Sequence, residues 1–298
     1  MYPDPDAPRR FGWLDAALIA LTALCAAYVW TRVSDVLAYR WDWSFLPQAL
    51  FRRDAETGWL SPNLLLEGLL VTIRLSLWAM LGASVLGMAL GAMAASARLL
   101  PRMVAAAYVG LVRNMPPLVF IFIFYFFLSS QIAPALGLSE AARGMSPAAA
   151  ALTRALIGPP ELLENLVSGA LCLALFEAAY VCEIARAGLS SVPAEQREAA
   201  RSLGLGPWRE FRHVVAPQAL RAVTPPLANQ FIMLVKNSAI VSLISVQELT
   251  FVGTEIAVST GRRFETWIVV AAMYFVLCYA LSRLFARMER RMRARDAR

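Results

Sequence analysis

Residues 64–93 read LLLEGLLVTIRLSLWAMLGASVLGMALGAM, and only Glu67 and Arg74 in this stretch are charged. The hydrocarbon core of a bilayer is about 30 Å thick, and an α-helix of about 20 apolar residues can cross it. The stretch is therefore long enough and apolar enough to be a transmembrane helix. Within it, Gly87 and Gly91 form a GxxxG pattern. This pattern predicts close contact with another helix, either in the same chain or in a second copy.

Five further stretches have the same character, and each is predicted to be a helix because a single segment in lipid must satisfy its own backbone hydrogen bonds. The six predicted spans are residues 14–30, 64–93, 104–128, 166–184, 223–244 and 267–284. The first span follows Arg9 and Arg10 as a signal peptide would, but it ends at Trp30 without a small-residue cleavage site, so we interpret it as an uncleaved anchor. The sequence thus predicts an all-α, polytopic membrane protein with about six transmembrane helices.

The composition agrees with a membrane protein. The 298 residues are 59% hydrophobic, and the mean hydropathy is +0.56, both above what is usual for soluble domains. All four cysteines lie within apolar stretches rather than in loops, which favours packing roles over a disulfide framework. They are Cys25, Cys172, Cys182 and Cys278.

Two residue counts exclude classes of site. Lys236 is the single lysine among 28 basic residues and follows Val235, so the chain cannot form the Gly-Lys-Ser/Thr phosphate loop of ATPases. His213 is the single histidine, which excludes a His-x-x-x-His zinc site and argues against a serine or cysteine triad. The arginines lie beside apolar spans rather than in aromatic-interleaved patches, so nucleic acid is not an expected partner. We expect no catalytic site and no metal, and any ATP-driven work would need a partner chain.

The arginines also indicate the topology. If the N-terminus is cytoplasmic, the inner segments carry 17 arginines and the outer segments carry 8. The positive-inside rule then places both termini in the cytoplasm and requires an even number of crossings. We expect an N-terminal anchor helix with an extracytoplasmic segment (1–63), a transmembrane domain (64–288) and a basic cytoplasmic tail (289–298). The proline-rich residues 129–165 are predicted to be an extracytoplasmic excursion with short helices at best.

Residues 192–217, which we call the elbow, fall on the predicted cytoplasmic side and read VPAEQREAARSLGLGPWREFRHVVAP. The pattern predicts two short helices, because Gly204 or Gly206 suits a left-handed stop and Pro207 suits the first turn of a helix. Apolar residues recur at helical spacing on both helices. They are Ala199, Ala200, Leu203, Trp208, Phe211, Val214 and Val215. A loop with such a face must pack against something.

Six positions of the elbow resemble the EAA motif of ABC importer permeases. They are Glu198, Ala199, Ala200, Gly204, Val214 and Pro217. In that family the motif forms coupling helices that dock into a groove of the ATPase subunit. The resemblance implies a set of ATPase-coupling residues in which Glu198 is the charged contact. The set is Glu198, Ala199, Ala200, Gly204, Trp208, Phe211, Val214 and Pro217. Ala216 departs from the family, which usually has Leu before the proline.

The flanking stretches resemble the polar amino-acid uptake subfamily of these permeases. They include CEIARAGLSSVP (182–193), RNMPPL (113–118) and KNS (236–238). The resemblance covers roughly residues 64–284 without most of the excursion, and the chain departs from it at Ala239 and Ile240 and in its first span. It implies a bacterial inner-membrane complex with ATPase subunits, a second permease of the same or a sister chain, and an extracytoplasmic solute-binding protein. This chain would bind no cofactor, since ATP and Mg would be held by the ATPase.

Ionisable side chains inside the spans are candidate pathway residues, because burying one in a membrane costs at least about 2.5 kcal/mol. The candidates are the ionisable Lys236 and Glu183, together with the polar Asn237 and Ser238 that follow Lys236. Lys236 is interpreted either as a partner for a substrate carboxylate or as a structural partner of Glu177 or Glu183. The alternative to the importer is a self-contained channel or ion-coupled secondary carrier whose loop binds a regulator.

Overall fold

The structure, a computed structural model, describes residues 12–36, 39–53, 58–127, 131 and 135–296. The longer helices are α1 (Trp13–Val36), α3 (Leu64–Ala94), α4 (Leu99–Arg113), α5 (Pro117–Phe127), α8 (Leu163–Ser190), α11 (Ala216–Asn237), α12 (Leu249–Thr260) and α13 (Arg263–Asp296). The shorter ones are α2 (Leu46–Leu50), α6 (Leu138–Arg143), α7 (Pro147–Leu156), α9 (Ala194–Ser202) and α10 (Pro207–Glu210). Strands β1 (Phe51–Arg53) and β2 (Leu60–Pro62) pair antiparallel, with Phe51 opposite Pro62.

The chain divides into two compact units after Trp43. The described part of the first unit is mainly α1, a helix of 24 residues. The second unit begins at Ser44 and contains all the other elements. Residues 44–53 and 58–63, which were predicted to belong with the anchor helix, are part of the second unit, where Phe45 and Ala49 are buried in a cluster with Leu65.

In the described part of the chain, five helices are long and apolar enough to cross a membrane, and α4 with α5 makes a sixth candidate as a bent pair. This confirms the predicted all-α membrane fold with about six spans. The third span is not the single straight helix that was predicted, because α4 and α5 meet at an angle of 110°. Pro116 and Pro117 lie at the bend. Proline lacks an N–H donor and disfavours helical backbone in the preceding residue, so the helix breaks there.

Glycines bring α3 and α8 into close contact along their length. The contacting pairs are Gly82 with Ala174, Gly87 with Val181, and Gly91 with Ala185. The residue numbers of these pairs increase along both helices, so α3 and α8 run in the same direction. The chain between them must therefore cross the membrane in the opposite direction. A Cβ atom on Gly91 would lie 2.5 Å from the Cβ of Ala185 and 2.9 Å from the carbonyl oxygen of Cys182. The predicted GxxxG contact is confirmed, and it lies within one chain.

Helix α12 was not predicted from the sequence, because its 12 residues are too few to cross a membrane. It packs against the beginning of α3, where a Cβ on Gly68 would lie 3.1 Å from the Cα of Leu249. It also packs against α13, where Gly253 faces Val270. Helix α12 therefore fills the space between α3 and α13 at one end of the bundle.

We expect Gly91→Ala to lower the melting temperature of the purified protein in detergent, because the added methyl group overlaps α8 and overpacking costs about 1–3 kcal/mol. Gly110→Ala is the matched control. Gly110 also lies inside a helix, but a Cβ there meets nothing within 4 Å. Equal melting temperatures for the two variants would contradict the proposed tight contact.

Candidate functional site

The elbow consists of two short helices joined by a tight turn, as the sequence predicted. Helix α9 ends at Ser202, and Gly204, two residues further on, has a left-handed φ of 77°. The N–H of Gly204 donates to the carbonyl of Arg201 at 2.9 Å, and the N–H of Leu205 donates to that of Ala200 at 3.1 Å. This pair of hydrogen bonds is the Schellman arrangement, which needs a residue that tolerates positive φ. Gly204 therefore sets the angle between the two helices.

An ion pair holds α9 against α10. The Nε of Arg201 donates to one carboxylate oxygen of Glu210 at 2.8 Å, and its Nη2 donates to the other at 3.3 Å. Glu210 is buried under this contact. The hydrogen bond and charge of Glu210, with a smaller contribution from the charge of Glu198, raise the pKa of Arg201. Arg201 thus pairs mainly with Glu210, and Glu198 is left exposed without a side-chain hydrogen bond or ion pair to any described residue.

The outer face of the elbow is apolar and exposed. Leu203 is 82% exposed, Trp208 68% and Phe211 42%, and the rings of Trp208 and Phe211 stack with centroids 5.9 Å apart. Ala199 is exposed beside them, whereas Ala200 turns inward and is buried. We call Ala199, Leu203, Trp208 and Phe211 the elbow patch. Its large side chains face outward in the single chain, so the elbow offers a surface to a partner.

The inner face of the elbow is fixed to the bundle. Val192, Val215 and Ala219 form a buried cluster with Leu189 packed against it. The guanidinium of Arg197 donates to the carbonyl of Leu189 at 2.5 Å. The elbow is therefore attached to the end of α8 and to the beginning of α11 rather than hanging free.

A π-helical turn, Phe211–Val215, joins α10 directly to α11. Helical backbone thus continues from Pro207 to Asn237, and Val214 and Pro217 lie in this junction rather than on the elbow patch. Turns of the π type often occur at functional positions in helices. The second helix of the elbow and the fifth span are consequently one mechanical element.

Lys236 lies in an open groove between α11 and α13, with a volume of about 630 Å³. The described residues that line it with Lys236 include Asn229, Tyr274, Tyr279 and Ser282. Among the described residues of this lining, Lys236 alone carries a full charge. Lys236 is exposed to the groove. The groove can therefore accept a negatively charged group beside hydroxyl and amide side chains.

The other candidate pathway residues are not in this groove. The Nδ2 of Asn237 donates to Glu177 at 3.0 Å, and the Nε2 of Gln230 donates to the other oxygen of that carboxylate at 2.5 Å. Ser238 is buried and donates to the carbonyl of Val235 at 2.8 Å. The carboxylate of Glu183 instead forms an ion pair with Arg186 on the same helix, at 2.7 Å. Their roles in a pathway stay predictions.

The structural role considered for Lys236 was a pair with Glu177 or Glu183. Glu177 is completely buried between α8 and α11 and accepts from two neutral amides. Glu183 accepts from Arg186. Both carboxylates have other partners, and neither forms an ion pair with Lys236 in this structure. The role of Lys236 as a substrate contact stays a prediction.

Sequence reasoning missed another buried carboxylate, that of Glu248, which caps α12. It accepts from the N–H of Phe251 at 2.9 Å, from the hydroxyl of Tyr274 at 2.6 Å and from that of Thr72 at 3.3 Å. These bonds tie together α3, α12 and α13, and they fix Tyr274 at the Lys236 groove. Glu is not among the residues that usually cap a helix N-terminus, so the sequence carried no clear signal for this cap.

The comparisons with known proteins agree with this architecture. Residues 87–294 match the family described as "Binding-protein-dependent transport system inner membrane component". The chain is 32% identical over 220 residues to the probable glutamine ABC transporter permease protein GlnM of Bacillus subtilis (strain 168), covering 74% of this chain and 89% of GlnM. It is 31% identical over 240 residues to the glutamine transport system permease protein GlnP of Escherichia coli (strain K12), covering 80% of this chain and 98% of GlnP.

Solved structures are similar as well. A crystal structure of an amino acid ABC transporter with histidines superposes with a TM-score of 0.61 at 33% identity, covering 76% of this chain and 94% of the solved chain. The MetNI methionine ABC transporter in an inward-facing conformation gives a TM-score of 0.57 at 18% identity, with 76% and 95% covered, and shares the fold. The family match spans most of the chain and its EAA-type elbow. The chain belongs to the family of inner membrane components of binding-protein-dependent transport systems.

Proposed function

We propose that this chain is the membrane-spanning permease subunit of an ATP-driven importer of polar amino acids, with ATP and Mg bound on separate ATPase chains. Its membership of the inner-membrane component family supports this proposal, as do relatives that are described as glutamine permeases. The absence of a Gly-Lys-Ser/Thr motif from the sequence is consistent with ATP hydrolysis on a partner.

The observation that carries the proposal is the exposed elbow patch. Large apolar side chains on an ordered surface mark protein contact sites, and aromatic residues such as Trp208 are typical hot spots of interfaces. Glu198 adds a carboxylate, without an ion pair to any described residue, beside Ala199 on α9. A self-contained carrier does not need such a surface, so the geometry favours an importer in which an ATPase covers the patch.

The proposed topology places the elbow and both termini in the cytoplasm. The excess of arginines on that side supports this orientation. The parallel course of α3 and α8 supports one intervening crossing through α4 and α5. In this orientation the elbow faces the compartment that contains ATP.

The coupling mechanism follows from the continuous helix that begins at Pro207. Closure of two ATPases on ATP would draw the elbows of two permeases together. Because the second elbow helix continues through the π turn into α11, the displacement would be passed along α11 toward Lys236. The spans would then rock as rigid bodies between inward-facing and outward-facing states.

The groove containing Lys236 suits the substrate pathway of this mechanism. The ammonium group of Lys236 would hold a substrate carboxylate, and Asn229 and Ser282 would offer polar contacts to the rest of an amino acid. The groove is open along one side in the single chain. A second permease would close that side, and a solute-binding protein would deliver the amino acid from the outer surface.

Glu198→Lys is expected to abolish ATPase association while membrane insertion is unchanged. Removing one member of a charged interface pair costs several kcal/mol, here about 3 kcal/mol, which corresponds to a loss of affinity of more than about a hundredfold. Co-purification of the ATPase from mild detergent and amino-acid uptake into proteoliposomes measure the effect.

Glu255→Lys is the matched control for that experiment, since Glu255 is exposed on α12, at the opposite end of the bundle from the elbow. It makes the same change of charge and should leave ATPase association intact. Normal ATPase retention and uptake by the Glu198→Lys protein would refute the docking role.

Lys236→Met should weaken substrate recognition in the transport cycle while the complex still assembles. A hydrogen bond to a charged group contributes about 1.5–3 kcal/mol, so the apparent affinity in uptake assays should fall roughly ten- to hundredfold. The methionine keeps the length of the side chain and removes its charge.

Lys236→Arg retains a cation in the groove and serves as the control, with an affinity closer to that of the unmodified protein. If the Lys236→Met protein takes up substrate with unchanged affinity, Lys236 does not bind the substrate carboxylate.

A further inference from the structure

Helix α13 is longer than a membrane requires. Its 34 residues span about 51 Å at 1.5 Å per residue, whereas the hydrocarbon core is about 30 Å thick. The apolar part of the helix ends near Leu284, and the helix continues unbroken to Asp296. The turns that follow Leu284 therefore enter the layer of lipid headgroups directly.

The turn that contains Leu284 and the turns that follow it carry three arginines on one face. Arg283, Arg287 and Arg290 follow the spacing i, i+4, i+7, which places them within about 60° around the helix axis. We call these three residues the arginine stripe. All are exposed, and the Arg283 guanidinium lies 5.5 Å from the centre of the Tyr279 ring. Among the described residues, Arg287 and Arg290 make no hydrogen bond or ion pair.

The arginine stripe faces away from the protein. The residues of α13 that line the groove shared with α3 and α11 lie on another side of the helix; they are Ser282, Phe285, Ala286, Met288 and Glu289. Phe285 packs edge-on against Phe231 at 6.0 Å. Because α13 contacts the rest of the protein through this side, the arginine stripe faces outward from the helix bundle.

We propose that the arginine stripe binds the phosphate groups of anionic phospholipids. Guanidinium groups bind phosphate through paired hydrogen bonds, and basic residues directly beyond a transmembrane helix are attracted to anionic headgroups. The helix is continuous with the span, so it holds the three groups at headgroup depth without a flexible linker. The aliphatic parts of the side chains can lie against acyl chains while the guanidinium groups reach the phosphates.

The test uses the full-length protein purified in nonionic detergent and titrated with phosphatidylglycerol or with phosphatidylcholine of the same acyl chains. Bound lipids are counted by native mass spectrometry. The unmodified protein should retain phosphatidylglycerol preferentially. The variant Arg283→Gln/Arg287→Gln/Arg290→Gln should lose this preference, by roughly fivefold for each arginine and so by roughly a hundredfold in apparent affinity for the three.

Two further variants separate charge from position. Arg283→Lys/Arg287→Lys/Arg290→Lys keeps the charge and should keep most of the preference. The variant Arg53→Gln/Arg143→Gln/Arg154→Gln removes the same charge from sites outside α13 and should bind lipid as the unmodified protein does. Raising the ionic strength should reduce retention of phosphatidylglycerol by the unmodified protein, because exposed charges are screened. Soluble glycerol phosphate should not displace the lipid, which distinguishes a membrane lipid from a free phosphate.

Equal retention of the two lipids by the unmodified protein would overturn the proposal, and so would an unchanged preference in the glutamine variant. If the glutamine variant keeps its lipid preference but loses a co-purifying ATPase, the stripe is instead a protein contact, and the lipid proposal is wrong. The lipid-binding measurements need no ATPase, so their outcome is independent of the proposed coupling function.

Discussion

The contact between α3 and α8 is the constraint on which the rest of the structure depends. Helices in lipid gain no hydrophobic free energy by meeting one another, so association relies on close packing and on internal hydrogen bonds. Gly87 and Gly91 allow the two backbones to approach until a methyl group no longer fits between them. Helices α4, α5, α11 and α12 pack directly against this pair, and α13 packs on α11 and α12.

Two buried carboxylates attach the remaining helices to that pair. Glu177 on α8 accepts from amides of α11, and Glu248 at the start of α12 accepts from hydroxyl groups of α3 and α13. A carboxylate in a membrane protein is costly unless its oxygens are satisfied. Neutral donors satisfy both groups here, and this leaves the ammonium of Lys236 available to a ligand.

Features set by local chemistry could be predicted from the sequence. The spans follow from the length of apolar runs, and the elbow follows from Gly204 and Pro207, whose backbone preferences act without reference to the rest of the chain. The GxxxG pattern predicted a close contact but not its partner, because α8 is about 90 residues away in the sequence. The bend between α4 and α5 could have been predicted from the sequence, because Pro116 and Pro117 follow each other there.

Features set by helix orientation could not be predicted. Lys236 and Asn237 are neighbours in sequence, but successive residues on a helix point about 100° apart, so one faces the groove and the other faces Glu177. Hydropathy alone does not reveal this orientation. Glu248 was missed for a related reason, because its partners come from three separate helices.

The π turn between the elbow and α11 contains one residue more than an α-helical turn would need for the same advance. That surplus sets the angular phase between the two segments that it joins. If the turn tightened to ordinary α geometry, everything on its far side would revolve by about 100° around the axis. Trp208 would then rotate around the helix axis while Lys236 kept its orientation. The junction can therefore convert a change in helical winding into a rotation of the elbow relative to the span.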